Sequence, residues 1–242
     1  MISALTELPI RPATQLPPLD PEAKRPIYPA TQLPTLTAIV DVDVAERAGW
    51  TPLDLARAFL DGGARLIQLR AKRLPSGPFL RLADDIVRLG RDYEARIVIN
   101  DRVDLARLSG AAGAHVGQDD LPPAEARQLL GPGAMIGFST HSPAQLAAAV
   151  QEPLTYVAVG PIFGTQTKET GYNAVGVDLV RHAAERSGGL PVVAIGGITL
   201  DTAPSVLAAG ATNVAVISDL LTGGDPSARV RAYVKDLAQH RV

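Results

Sequence analysis

The chain has 242 residues, 46% of them hydrophobic and 20% charged, as in an ordinary globular protein with one large core. A formal charge of −2 and a pI near 6.1 leave no global basic field, so nucleic acid is not expected as a partner. The absence of cysteine excludes disulfides, thiolate nucleophiles and Cys-based zinc sites.

Residues 1–35 differ from the rest. Pro9, Pro12, Pro17, Pro18, Pro21, Pro26, Pro29 and Pro34 crowd a segment without apolar periodicity. The stretch Pro-Ala-Thr-Gln-Leu-Pro occurs at 12–17 and again at 29–34. One duplication is too short for a solenoid, which needs about three stacked units. The segment reads as a flexible extension, the alternative being a docking strip for a partner. The N-terminus lacks a basic start followed by an apolar segment. The least polar late stretch, 188–217, is interrupted by Pro191, Asp201 and Pro204. A cytoplasmic protein with no membrane partner is expected.

From Leu36 onward strands and helices alternate. Apolar runs at 36–40, 65–69, 97–99, 114–116, 135–138, 156–159, 192–195 and 213–217 read as strands. Helical patterns fill 52–61, 78–93, 101–108, 123–130, 144–150, 177–186, 202–209 and 226–239, several beginning after Ser, Thr or Asp and ending near Gly. Eight such units in one series point to an α/β fold, a single (β/α)8 TIM barrel spanning 36–242. A doubly wound open sheet is the runner-up, but no Gly-x-Gly-x-x-Gly follows the first strand.

A barrel of this kind carries its functional residues at the C-terminal ends of its strands. Strand three ends in Asn100 and Asp101, and strand four in Gln118, Asp119 and Asp120. Parallel strands bring Asp101 and Asp120 to one edge, where two carboxylates suit a hard divalent cation such as Mg²⁺. The alternative is that each Asp caps the helix that follows it. Strand two ends in Gln68, Arg70 and Lys72, which alternation places on one face. Two cations and an amide there suit a phosphate-bearing ligand, the alternative being a salt bridge to a neighbouring loop. Strand five ends in Ser139 and His141, readable as a helix cap and a surface histidine. The loop at 160–176 is long, rich in Gly and Thr, and carries Thr165, Thr167 and Lys168, a candidate lid or a plain exposed loop. Gly196 and Gly197 after strand seven, with Ile217 and Ser218 after strand eight, fall where such barrels usually bind phosphate on backbone amides, although tight packing alone also requires glycine.

Taken together, Gln68/Arg70/Lys72, Asn100/Asp101/Arg102, Gly117 to Asp120, Gly137/Ser139/His141, Gly160/Thr165/Thr167/Lys168, Gly196/Gly197/Ile198 and Ile217/Ser218 occur in the order found in thiamine phosphate synthases. The chain resembles that family from about residue 36 to its end. The resemblance implies condensation of an aminopyrimidine diphosphate with a thiazole monophosphate (or its carboxylate), releasing diphosphate. It implies that Asp101 and Asp120 bind Mg²⁺, and that Arg70, Lys72, Asn100 and Lys168 contact the diphosphate. Gln68 and Ser139 are then expected by the pyrimidine, Thr165 and Thr167 by the thiazole phosphate, and backbone at Gly197, Ile217 and Ser218 on its oxygens. Arg70, Lys72, Lys168 and Ser139 are the expected catalytic residues. No protein nucleophile is required, in keeping with a sequence that lacks cysteine and shows no Ser–His pair.

Three positions depart from the family's pattern. Gly164 stands where Pro is frequent, Asp219 follows Ser218 where a small apolar residue is usual, and 151–155 replaces a Gly-Ala-Asp turn. A carboxylate at 219 disfavours a nearby phosphate unless it points away. Two rival readings are a thiazole tautomerase, with His141 as acid–base group, and a non-catalytic barrel that binds a thiamine precursor. A homo-oligomer is compatible with the sequence, which leaves the oligomeric state open.

Overall fold

The computed structural model describes residues 33–164 and 174–240. Eight parallel strands close into a barrel in simple chain order, β1 (Leu36–Asp41), β2 (Leu66–Arg70), β3 (Arg96–Asn100), β4 (Gly113–Val116), β5 (Met135–Thr140), β6 (Tyr156–Val159), β7 (Val192–Ile195) and β8 (Asn213–Val216). β8 returns to pair with β1, so the sheet has no edge. The helices are α1 (Val42–Arg47), α2 (Pro52–Asp61), α3 (Ser76–Asp92), α4 (Val103–Ser109), α5 (Pro123–Leu130), α6 (Pro143–Ala149), α7 (Gly176–Arg186), α8 (Ala203–Ala208) and α9 (Pro226–Leu237). The expected (β/α)8 barrel is present.

Local chemistry accounts for the elements. Thr51, Ser142 and Asp225 accept from the main-chain N–H three residues on and start α2, α6 and α9, each with Pro in its first turn. α3 turns Phe79, Ala83, Ile86 and Gly90 inward, a 3.6-residue stripe that rests on the sheet. Alternation along the strands divides the core in two. Ala38, Val40, Ile67, Leu69, Ile99, Val157 and Val159 meet the helices. Ile39, Leu66, Val98, Met135, Tyr156, Ala158, Val193 and Ala215 fill the barrel, with Leu33 packed against them. Asn213 crosslinks the N-terminal end, accepting from Thr37 Oγ1 at 2.9 Å and donating to the Pro34 carbonyl at 2.7 Å.

Three differences from expectation bear on the mouth. A further helix, α1, follows β1 at once, because Asp41 ends the strand and caps the helix through Val44 N. β2 runs from Leu66 to Arg70 rather than 65–69, which brings Arg70 into register with Asp41. The helix expected from Asp101 begins at Val103, since Asp101 has left-handed backbone (φ 63°). Among the described residues, no helix is long and apolar enough to cross a membrane.

Candidate active site at the barrel mouth

Because all eight strands run parallel, the residues that end them share one mouth. Asp101 leaves β3 in the left-handed region, which short polar side chains tolerate, and its N–H donates to the His115 carbonyl at 2.8 Å. Neither Asp101 nor Asp120 caps a helix. The cap positions of α4 and α5 are Arg102 and Pro122, without side-chain cap bonds, so the capping alternative falls away. Asp101 and Asp120 instead meet each other, and Lys72 Nζ lies 2.5 Å from Asp101 Oδ2. Asp120 Oδ2 is held by Gly117 N at 2.7 Å. Burial, and then the neighbouring Asp120, hold the Asp101 carboxyl above its ordinary value against the pull of Lys72. Two carboxylates pressed together favour a cation beside them; here that cation is the Lys72 ammonium, and the same oxygens could hold a hard metal ion.

Arg70 is paired, but with the end of β1 rather than with a neighbouring loop. Its Nη1 pairs with Asp41 Oδ2 across β1 and β2, with the side chains 14% and 2% exposed. Asp41 is a site residue that sequence reasoning passed over, although an Asp ending an apolar strand is the same signal that drew attention to Asp101. Lys72 is paired as well, with Asp101, but its side chain stays half exposed.

Below these charges a buried polar chain lines the barrel. Gln68 bonds the Tyr156 hydroxyl, Tyr156 reaches His115 Nδ1 at 3.1 Å, and His115 Nε2 lies 2.8 Å from Ser139 Oγ. Burial pushes the Tyr156 phenol well up, against the Gln68 hydrogen bond that draws it down, so its hydroxyl keeps its proton. This corrects the expectation that no Ser–His pair exists. It also corrects the reading of Ser139 as a helix cap, a role Ser142 takes for α6. His115 and Tyr156 went unremarked because each sits within an apolar strand, and only inward alternation marks them. Asn100 is buried at the tip of β3, opposite His115 in register. His141 is partly exposed and satisfied, its Nδ1 lying 2.5 Å from the Gly160 carbonyl.

Across the mouth, the ends of β7 and β8 border a cavity of about 280 Å³, lined by residues 195–199, 215–219 and Thr222. Gly197 (φ 64°) is required there, since a Cβ would stand 2.6 Å from the Gly164 carbonyl oxygen. Ile217 and Ser218 line the same cavity. Asp219 does too, with its carboxylate bound by Arg229, Tyr233 and the Leu200 amide. The structure thus brings Gln68, Arg70, Lys72, Asn100, Asp101, Asp120 and Ser139 to the ends of β2 to β5, and Gly197, Ile217 and Ser218 to the cavity. Thr165, Thr167 and Lys168, with most of the candidate lid, lie outside the described residues.

Fold and mouth together define a (β/α)8 barrel with charged and polar strand ends gathered at its C-terminal mouth. Residues 37–220 match the family model described as thiamine monophosphate synthase. The chain is 43% identical over 192 residues to the thiamine-phosphate synthase of Thermus thermophilus, covering 78% of this chain and 92% of that protein. It is also 43% identical over 190 residues to a thiamine biosynthesis bifunctional protein of Symbiobacterium thermophilum, of which it spans 39%. The solved thiamine phosphate pyrophosphorylase of Pyrococcus furiosus superposes with a TM-score of 0.77 at 30% identity, over 85% of this chain and 96% of that one. The chain belongs to the thiamine monophosphate synthase family. It is a transferase of that family, and the tautomerase and silent-barrel readings find no support.

Proposed function

We propose that the barrel mouth binds both halves of thiamine phosphate and joins them by a dissociative displacement. The C–O bond between the pyrimidine methylene and diphosphate breaks, the aminopyrimidine carries the positive charge, and the thiazole nitrogen closes the new C–N bond. The single observation that carries this reading is the Asp101–Asp120–Lys72 cluster beside Arg70. Diphosphate leaves only when its developing charge is stabilised, and pre-oriented cations at the mouth supply that. Arg70, fixed by Asp41, and the more exposed Lys72 would donate to diphosphate oxygens, joined by Asn100 and, on the family resemblance, by Lys168.

The donor set fits Mg²⁺. Among the described residues no group of three or more His, Asp or Glu could hold a metal, so two carboxylates would leave the remaining positions to water and substrate oxygens, as Mg²⁺ prefers. Bound by Asp101 and Asp120, Mg²⁺ would neutralise charge on the departing diphosphate. Gln68, Tyr156, His115 and Ser139 would cradle the pyrimidine. The Ser139–His115 pair is not read as a nucleophile, because the second His115 nitrogen faces a phenol rather than the carboxylate of a triad. The β7–β8 cavity would take the thiazole phosphate on backbone N–H groups near Gly197, Ile217 and Ser218, and on the family resemblance Thr165 and Thr167 would contact the same phosphate.

The direct test mixes purified protein with both precursors and Mg²⁺ and follows thiamine phosphate. Asp101→Ala and Asp120→Ala should each lower turnover by roughly a hundredfold or more while circular dichroism shows a folded barrel. Full turnover by chelator-treated Asp120→Ala would remove the metal role. Isomerisation of the thiazole carboxylate without any coupling would transfer the case to a tautomerase.

A further inference from the structure

Asp219 poses a problem for any anion in the β7–β8 cavity, because it lines that cavity and carries a negative charge. Its surroundings resolve the conflict. Arg229 donates from Nε at 3.1 Å and from Nη2 at 2.8 Å to Oδ2, and Nη2 also reaches Oδ1 at 3.0 Å. The Tyr233 hydroxyl donates to Oδ2 at 2.6 Å, and the Leu200 amide at 3.1 Å. Tyr233 is fully buried, and burial together with Asp219 holds its phenol far above the ordinary value, so the hydroxyl remains a donor. The Arg229 guanidinium sits 5.8 Å from the Tyr233 ring centre.

The arrangement does two things. Electrically, the Arg229 fork turns a repelling carboxylate into a neutral pair with both side chains at most a quarter exposed. Mechanically, it ties three segments together. Asp219 belongs to the 3-10 turn after β8, Leu200 to the loop after β7, and both donors to α9, whose start is secured by Asp225 on Ala228 N at 2.9 Å. The two loops so joined are the two walls of the cavity.

We propose that Arg229 and Tyr233 form a charge-neutral clasp on Asp219 that keeps this carboxylate from repelling the phosphate of the thiazole substrate, which makes them positioning residues for that phosphate. The proposal rests on the reading of this cavity as the thiazole-phosphate site. It has a signature that a merely structural role lacks. Removing Arg229 alone exposes an unbalanced carboxylate to the phosphate, whereas removing the Asp219 charge as well relieves it.

The test is steady-state kinetics on the full chain, varying each substrate in turn, with melting curves for every variant. Arg229→Met should raise the KM for the thiazole phosphate about tenfold, the order expected for one uncompensated charge beside an anion. The KM for the pyrimidine diphosphate should stay within about twofold, since its site lies at the other strands. Adding Asp219→Asn to Arg229→Met should recover most of the loss. Should Arg229→Met fold poorly, Tyr233→Phe removes a single donor and should raise the same KM selectively, by roughly two- to threefold. A double variant no better than the single, or an equal rise in both KM values, overturns the clasp. Ser218→Asp separates the clasp from the site it serves. If this new carboxylate leaves the thiazole-phosphate KM unchanged, the phosphate does not bind there and the proposal falls with the site. If it raises that KM while Arg229→Met does not, only the clasp is overturned.

Discussion

At the scale of single residues, the mouth depends on charges that are costly unless paired. Asp41 shows this most clearly, for it answers the buried Arg70 with one oxygen and caps α1 with the other. Asp41→Ala should therefore lower stability by about 3–5 kcal/mol, mostly from leaving a largely buried guanidinium unpaired, with about 1 kcal/mol from the lost cap. Asp41→Asn keeps an acceptor for Val44 N and should recover only the capping share in a urea titration. Equal stability of the Ala variant and the parent would show that Arg70 does not rely on Asp41. Asp101 carries a different burden, as a partly buried carboxylate beside Asp120 in left-handed backbone, and its place at the end of β3 was readable in advance. Its partners were not all so readable. Lys72 and Asp120 come from neighbouring strand ends and were expected nearby, whereas the Asp41–Arg70 pair needed the β1–β2 register.

At the scale of elements, β4 to β6 fit one another through a small–large exchange. Gly137 stands opposite Tyr156 in register, and a Cβ on Gly137 would come within 2.1 Å of the Tyr156 ring. The ring fills the place a side chain would take, and so its hydroxyl reaches His115. Gly137→Ala should destabilise the barrel by about 1–3 kcal/mol through overpacking and should also disturb the pyrimidine cradle. The check is a lowered melting temperature together with a raised KM for the pyrimidine diphosphate. A melting shift with both KM values unchanged would separate Tyr156 from that substrate. Strand and helix positions were legible because each follows from a local period and from caps within a few residues. The exception, α1, is six residues long and follows β1 without a loop, too short for a period to develop.

For the molecule as a whole, closure of the sheet is what makes a site. Leu33 is buried against the barrel interior, Pro34 accepts from Asn213, and Thr35 accepts from Val214 N, so the N-terminal end of the barrel is sealed by residues preceding β1. A truncation that begins at Leu36 should melt lower than one that begins at Leu33, by about 4 °C or more if a single buried leucine and two hydrogen bonds are lost. Identical melting curves would show that these three residues do not contribute. The sequence by itself determined the eight alternating units, the strand ends at which charged and polar residues gather, and the family, because strand period, helix period and strand-end motifs are written in adjacent residues. Only the tertiary structure decided that Arg70 answers Asp41, that His115 joins Ser139 to Tyr156, and that Asp219 is neutralised by Arg229. These partners lie on different strands and helices, and their distances are set by register and closure, which no local pattern encodes.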